Sequence, residues 1–150
     1  MNSHPLRSPG PQDSNAWLLV FAAWVIATTA TLAVLFFGEV MNYPICTLCW
    51  YQRIFMMPLA VILPLGLFPF DPRVVRYALP LAVIGSLIAV FHQLLVMGII
   101  PESIKPCTQG VPCSVTVVTW FGFLTIPLLS VLAFLTIAAL LLAARYRSSR

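Results

Sequence analysis

The sequence predicts an all-α membrane protein, a bundle of four transmembrane helices with both termini in the cytoplasm. Three observations carry this. Apolar residues make up 61% of the 150-residue chain and charged residues only 8%, whereas soluble domains average roughly 45–50% apolar and 25% charged. Four long apolar runs are separated by short polar segments. Basic residues are distributed unevenly among those segments. The net charge of +4 does not point to nucleic acid, because no basic patch with interleaved aromatics exists. Arginines marking the cytoplasmic side of a membrane protein account for it better.

Residues 1–15 are polar, with Pro5, Pro9, Gly10 and Pro11, and predict a disordered cytoplasmic tail. The run 16–37 carries no charge and is long enough to cross a hydrocarbon core of about 30 Å. It is also longer than the apolar region of a signal peptide, about 7–15 residues. A short loop with Glu39, Asn42 and Pro44 follows. The second span, about 50–70, is broken only by Gln52 and Arg53 near its start; Pro58 and Pro64 are candidates to kink it. Asp71-Pro72-Arg73 makes a tight turn. The third span, about 74–100, has Arg76 near one end and His92-Gln93 near the other. A polar loop from Pro101 to Pro112 leads to the fourth span, about 115–144, and residues 145–150 form a basic tail. Residues 16–144 thus read as a single four-helix domain without internal repeat.

Four spans put both termini on one side. The N-terminal tail, the second loop and the C-terminus carry Arg7, Arg73, Arg76, Arg145, Arg147 and Arg150, while the first and third loops with their flanks carry only Arg53 and Lys105. Basic residues concentrate on cytoplasmic segments. Both cysteine pairs, Cys46/Cys49 and Cys107/Cys113, therefore belong on the outer face.

The chemistry concentrates in Pro44-Ile45-Cys46-Thr47-Leu48-Cys49-Trp50-Tyr51-Gln52-Arg53. Cys-x-x-Cys favours a reactive dithiol, and a helix N-terminus or a nearby arginine favours the thiolate. In a helix, Cys49 and Arg53 share one face, which places a cation beneath the pair. A charge inside a bilayer is costly, and snorkelling to the head groups is the alternative to a role. Cys107 and Cys113 each follow a proline, and Gly110 allows the loop to turn tightly. Such a loop can bring two Cα atoms to the roughly 5.5–6 Å that a disulfide needs. Three readings stay open: a thiol relay, a four-thiolate metal site, and a membrane protein with two static disulfides. His92 is a functional candidate as a polar group within a span, or a residue bonded to a neighbouring helix. Gly122, Thr125 and Ser130 read as helix-packing positions. Trp17, Trp50, Tyr51 and Trp120 read as interface anchors.

These residues resemble the disulfide bond formation protein B family, whose members are four-helix membrane thiol oxidoreductases. The resemblance covers nearly the whole chain. It is most specific at Cys46-x-x-Cys49-x-Tyr51-x-Arg53, with Trp120-Phe121-Gly122-Phe123-Leu124-Thr125-Ile126-Pro127 also family-like. It implies a multi-pass protein of the bacterial inner (cell) membrane that reoxidises an extracytoplasmic thioredoxin-fold thiol oxidase. The acceptor would be a quinone, either ubiquinone or menaquinone. By the same carry-over, Cys46/Cys49 exchanges electrons with the quinone near Arg53. His92 is a further candidate contact, Cys107 forms the mixed disulfide with the partner, and Cys113 lies on the relay. No resident metal is implied. The compact Cys107/Cys113 pair resembles the Gram-positive-type branch of the family. The vitamin K epoxide reductase family is similar in architecture, but there the loop pair precedes the Cys-x-x-Cys, the reverse of the order here.

Overall fold

The computed structural model describes residues 11–42, 45–100, 119–120 and 124–148. Four helices, α1 (Pro11–Leu35), α2 (Thr47–Leu65), α3 (Val74–Val96) and α4 (Ile126–Ser148), dominate it. All four are long and apolar enough to cross a membrane. α1 packs on α2 and α4, and α3 packs on the same two helices. The helices therefore form a ring in chain order, the arrangement that short connections between antiparallel neighbours favour.

The helix ends differ from the hydropathy boundaries wherever local backbone chemistry overrides apolarity. α1 begins at Pro11 rather than at residue 16, so residues 11–15 are its first turns and not part of a disordered tail. Proline suits the first helical position, where its missing N–H would have no partner. At its other end α1 widens into a π-helical turn, Phe36–Val40. α2 starts at Thr47, earlier than expected, because Cys46 is its N-cap, with extended backbone (φ −77°, ψ 161°) and a side chain that accepts from the Cys49 N–H.

α3 stops at Val96, short of residue 100. Gly98 adopts φ +74°, a conformation that costs glycine little. Its N–H donates to the Leu95 carbonyl at 3.1 Å and that of Ile99 to the Leu94 carbonyl at 3.2 Å, which is the Schellman pattern. α4 starts at Ile126 rather than near 115. The preceding Thr119–Trp120 and Leu124–Thr125 pair as a two-residue antiparallel ladder, β1 with β2. Thr125 caps α4, its Oγ1 accepting from the Leu128 N–H at 3.4 Å.

Small residues lie among larger ones in the core: Ala23, Ala27, Ala78, Ala82 and Ala89 are fully buried, as are Leu59, Leu63 and Ile137. Small side chains let membrane helices approach closely, because lipid supplies no hydrophobic drive between them. Large apolar residues such as Leu18, Leu32, Val61, Leu87 and Leu132 face outward, as a lipid-facing surface requires. α2 runs unbroken through Pro58 and Pro64. Pro64 has no N–H to give the Ala60 carbonyl; the Trp24 indole of α1 donates to it instead, at 3.2 Å. Gly85 of α3 meets Phe134 of α4 so closely that a Cβ would overlap the ring edge. Gly85→Ala should therefore destabilise the bundle by about 1–3 kcal/mol, the usual cost of overpacking. Thermal unfolding in detergent checks it, and an unchanged midpoint would show that Phe134 moves aside freely.

Candidate functional site: a dithiol above an apolar cavity

The site sits where the N-terminus of α2 meets the last third of α3 and the π turn of α1. Cys46 is buried and Cys49 half-buried, and both are free thiols. Their sulfurs lie 2.9 Å apart. The one-turn spacing of Cys-x-x-Cys does this: with Cys46 as cap, Cys49 stands in the first turn directly above it. The Cys49 N–H, one of the helix's unpaired donors, points at Cys46 Sγ at 3.4 Å.

His92 arrives from α3 and is 2% exposed. Its Nε2 lies 3.8 Å from Cys46 Sγ, and its Nδ1 lies 3.2 Å from Gln52 Nε2. His92 thus bonds to a neighbouring helix through Gln52 and lies beside the thiol pair. The Cys46 thiol is held well below its ordinary range, mainly by the Cys49 thiol and then by His92 and the Cys49 N–H, against the opposing effect of burial. Cys46, not Cys49, is the sulfur that this geometry prepares as a thiolate, whereas the sequence spacing had put the stabilising arginine beside Cys49.

Arg53 is 5% exposed and does not snorkel. Its Nη2 donates to the Val34 carbonyl of α1 at 2.7 Å, two residues before the widened turn. Its guanidinium carbon stands 5.4 Å from the centre of the Trp50 ring, within cation–π range. Its Nε is buried without a hydrogen-bond partner. The close approach is possible because residue 38 is glycine: a Cβ there would overlap Arg53 Nη2 and stand 2.9 Å from Ile45 Cδ1.

Cys46, Cys49, Gln52, Arg53 and His92 all line one cavity of about 500 Å³, within the range of small-molecule sites. The rest of its wall is mostly apolar, with Val25, Ile26 and Phe37 from α1, Met56 and Met57 from α2, and Phe134 from α4. Ser130 lines this cavity as well, so it borders the site rather than only a helix contact. A quinone fits these residues in kind: an apolar chamber for ring and tail, and an orphaned buried donor on Arg53 for a carbonyl oxygen.

Four of the sequence-predicted residues, Cys46, Cys49, Arg53 and His92, are thus brought together from two helices. Cys107 and Cys113 lie outside the described residues. Sequence reasoning missed Gln52 and Gly38. Gln52 carried a signal, a polar residue within a span one turn from Cys49, but its partner on α3 was not visible. Gly38 carried none, because its role depends on where the Arg53 side chain ends.

The profile of the family "Disulfide bond formation protein DsbB" matches residues 14–144. The chain is 47% identical over 141 residues to a "Probable disulfide formation protein" of Metapseudomonas resinovorans, covering 93% of this chain and 98% of that one. It is 46% identical over 125 residues to "Disulfide bond formation protein C" of Bacillus subtilis, covering 82% and 89%. A "Probable disulfide formation protein" of Deinococcus radiodurans is 43% identical over 137 residues, covering 85% and 89%. No solved structure matches the chain. With four membrane-length helices and this likeness along nearly its whole length, the chain belongs to the disulfide bond formation protein DsbB family.

Proposed function

We propose that the protein is a thiol:quinone oxidoreductase of the bacterial cell membrane, which reoxidises an extracytoplasmic thioredoxin-fold dithiol oxidase and so supports disulfide formation in exported proteins. The observation that carries this is the Cys46/Cys49 dithiol opening on an apolar cavity that also holds a buried guanidinium with an unused donor. The excess of basic residues in the tails and the second loop supports cytoplasmic termini and a site on the outer face.

The exchange steps follow from thiol chemistry. A thiolate of the reduced partner attacks the Cys107–Cys113 disulfide; a partner–Cys107 bond forms and Cys113 leaves. The partner's second thiol then breaks that bond, and the partner departs oxidised. The Cys107/Cys113 dithiol next reduces the Cys46–Cys49 disulfide by a second exchange. Cys46 suits the role of leaving thiolate, since the Cys49 N–H and His92 surround its sulfur. Reoxidation of the Cys46/Cys49 dithiol gives up two electrons and two protons. A ubiquinone or menaquinone held between Arg53, Cys49 and the apolar walls would supply the acceptor for both. Arg53 would hold the oxygen on which negative charge develops, Cys49 would pass on the electron pair, and His92, whose Nδ1 accepts from Gln52 Nε2, would present its Nε2–H to the Cys46 sulfur. With a quinone filling the chamber, its mostly apolar walls would exclude water and so strengthen each of these electrostatic contacts.

The test is to mix purified protein with a reduced thioredoxin-fold oxidase and short-chain ubiquinone or menaquinone analogues, and to follow the quinone absorbance. Catalytic bleaching with stoichiometric oxidation of the partner is expected. Disulfides that never exchange with the partner would return the chain to a static, stapled membrane protein.

Two further results are expected. Cys113→Ala should trap a covalent complex through Cys107, because the sulfur that completes the relay is missing; a complex running through Cys46 would reverse the assigned order. In intact reduced cells, a membrane-impermeant thiol reagent should label the cysteines without lysis. Labelling that requires lysis would invert the topology.

A further inference from the structure

We propose that the reduced protein binds one zinc ion through Cys46 Sγ, Cys49 Sγ and His92 Nε2, and that the ion must dissociate before the two cysteines close into their disulfide. The proposal rests on the functional reading only in that Cys46 and Cys49 must cycle between dithiol and disulfide. Among the described residues, these three form the one group of potential ligands whose donor atoms all lie within 4.8 Å of one another. Two thiolates and one imidazole with a fourth position open is an established zinc donor set. Here the fourth position faces the cavity, which can supply a water. Zinc holds thiolates at about 2.3 Å, so tetrahedral angles require sulfurs about 3.8 Å apart. The present 2.9 Å opens to that by rotation of the half-buried Cys49 side chain.

Binding exchanges thiol protons for the ion and leaves both sulfurs at the same oxidation level. A disulfide offers no thiolate, so the oxidised site holds no ion. While zinc is held, neither sulfur can attack a disulfide or give up electrons. The ion is therefore a brake on the reduced state alone.

Gln52 makes the site more than a bare dithiol. In the free site its Nε2 lies 3.2 Å from His92 Nδ1, so it donates to the imidazole. With His92 Nε2 on zinc, Nδ1 carries the proton, and the amide turned over accepts it through its oxygen. An amide serves both states, whereas a carboxylate serves only the second. A partner at the far nitrogen of a ligating histidine typically changes metal affinity by roughly 10–100-fold.

The experiment uses full-length protein in detergent carrying Cys107→Ser and Cys113→Ser, so that only one cysteine pair remains. Reduced protein is titrated with Zn²⁺ against a chromophoric chelator. One zinc per chain is expected in the dithiol form and none in the disulfide form. His92→Ala and Gln52→Leu should each weaken binding by roughly tenfold or more, and Gln52→Glu should tighten it. Equal affinity in all four proteins would overturn the site, as would binding to the disulfide form. Should His92→Ala not fold, Co²⁺ in the protein with His92 intact reads the same point. Intense tetrahedral bands with thiolate charge transfer support the proposal, and a weak octahedral spectrum sinks it. Zinc binding without quinone reduction would preserve this site and remove the functional reading, whereas quinone reduction without zinc binding would remove this site alone.

Discussion

Arg53→Ala should slow quinone reduction by roughly 10²–10³-fold, the usual loss when one preorganised donor to a developing negative charge is removed. The two disulfides should still form in air. The guanidinium is held on one side by the Val34 carbonyl at 2.7 Å and on another by the Trp50 ring, which leaves Nε free. It is therefore fixed before the acceptor arrives and pays no reorganisation when charge develops. Arg53→Lys keeps the charge but loses the planar fork, so it should fall partway between the two. Gly38→Ala should imitate the loss without touching Arg53, because a methyl group at that position occupies the space of Nη2. The rate against quinone concentration for the four proteins decides the matter, as a raised apparent KM, a lowered kcat, or both. Full turnover in a folded Arg53→Ala protein would mean that Arg53 only ties α2 to the end of α1. The substitution also leaves the Val34 carbonyl without its donor, at a cost of about 1–3 kcal/mol, so unfolding midpoints belong beside the rates.

Cys46→Ser and Cys49→Ser should each bring partner-to-quinone turnover down to background, the larger of the two effects, and for separable reasons. Serine is among the preferred N-cap residues, so Cys46→Ser keeps the start of α2 in place while removing the sulfur. Stability should stay within about 0.5 kcal/mol. In Cys49→Ser the serine hydroxyl can donate in place of the lost thiol, and the remaining Cys46 keeps His92 at 3.8 Å and the N–H of residue 49. It should still alkylate quickly near neutral pH, because the thiolate is the reacting form. In Cys46→Ser the remaining Cys49 has neither the cap N–H nor His92 against its sulfur and should alkylate more slowly. Alkylation rates measured on proteins also lacking Cys107 and Cys113 test the contrast. Equal rates would show that the cap and His92 do not distinguish the two sulfurs.

Much of the site was legible because its parts are adjacent in sequence. Cys46, Cys49 and Arg53 lie within two turns of one helix, and periodicity alone puts them near one another. Hydropathy placed four spans because bilayer thickness sets a minimum apolar length. It misplaced their ends because helix boundaries obey backbone chemistry instead: Pro11 at a first turn, Gly98 in a left-handed cap, Thr125 and Cys46 as N-caps. Each of these can be read in hindsight, yet each competes with apolar residues on both sides that carry no boundary signal.

The sequence by itself determined the solvent, the number of spans, the dithiol and the presence of a cation beside it, since these follow from composition and local spacing. Only the tertiary structure decided which sulfur is favoured as thiolate, where the guanidinium points and what His92 does. Those outcomes depend on α1 and α3 approaching the start of α2. His92 meets Gln52 and Cys46 across a helix interface. Arg53 reaches Val34 over Gly38, and Trp24 takes the carbonyl that Pro64 leaves open. A buried polar group must find a partner wherever the fold supplies one, and a partner on another helix leaves no trace in local spacing.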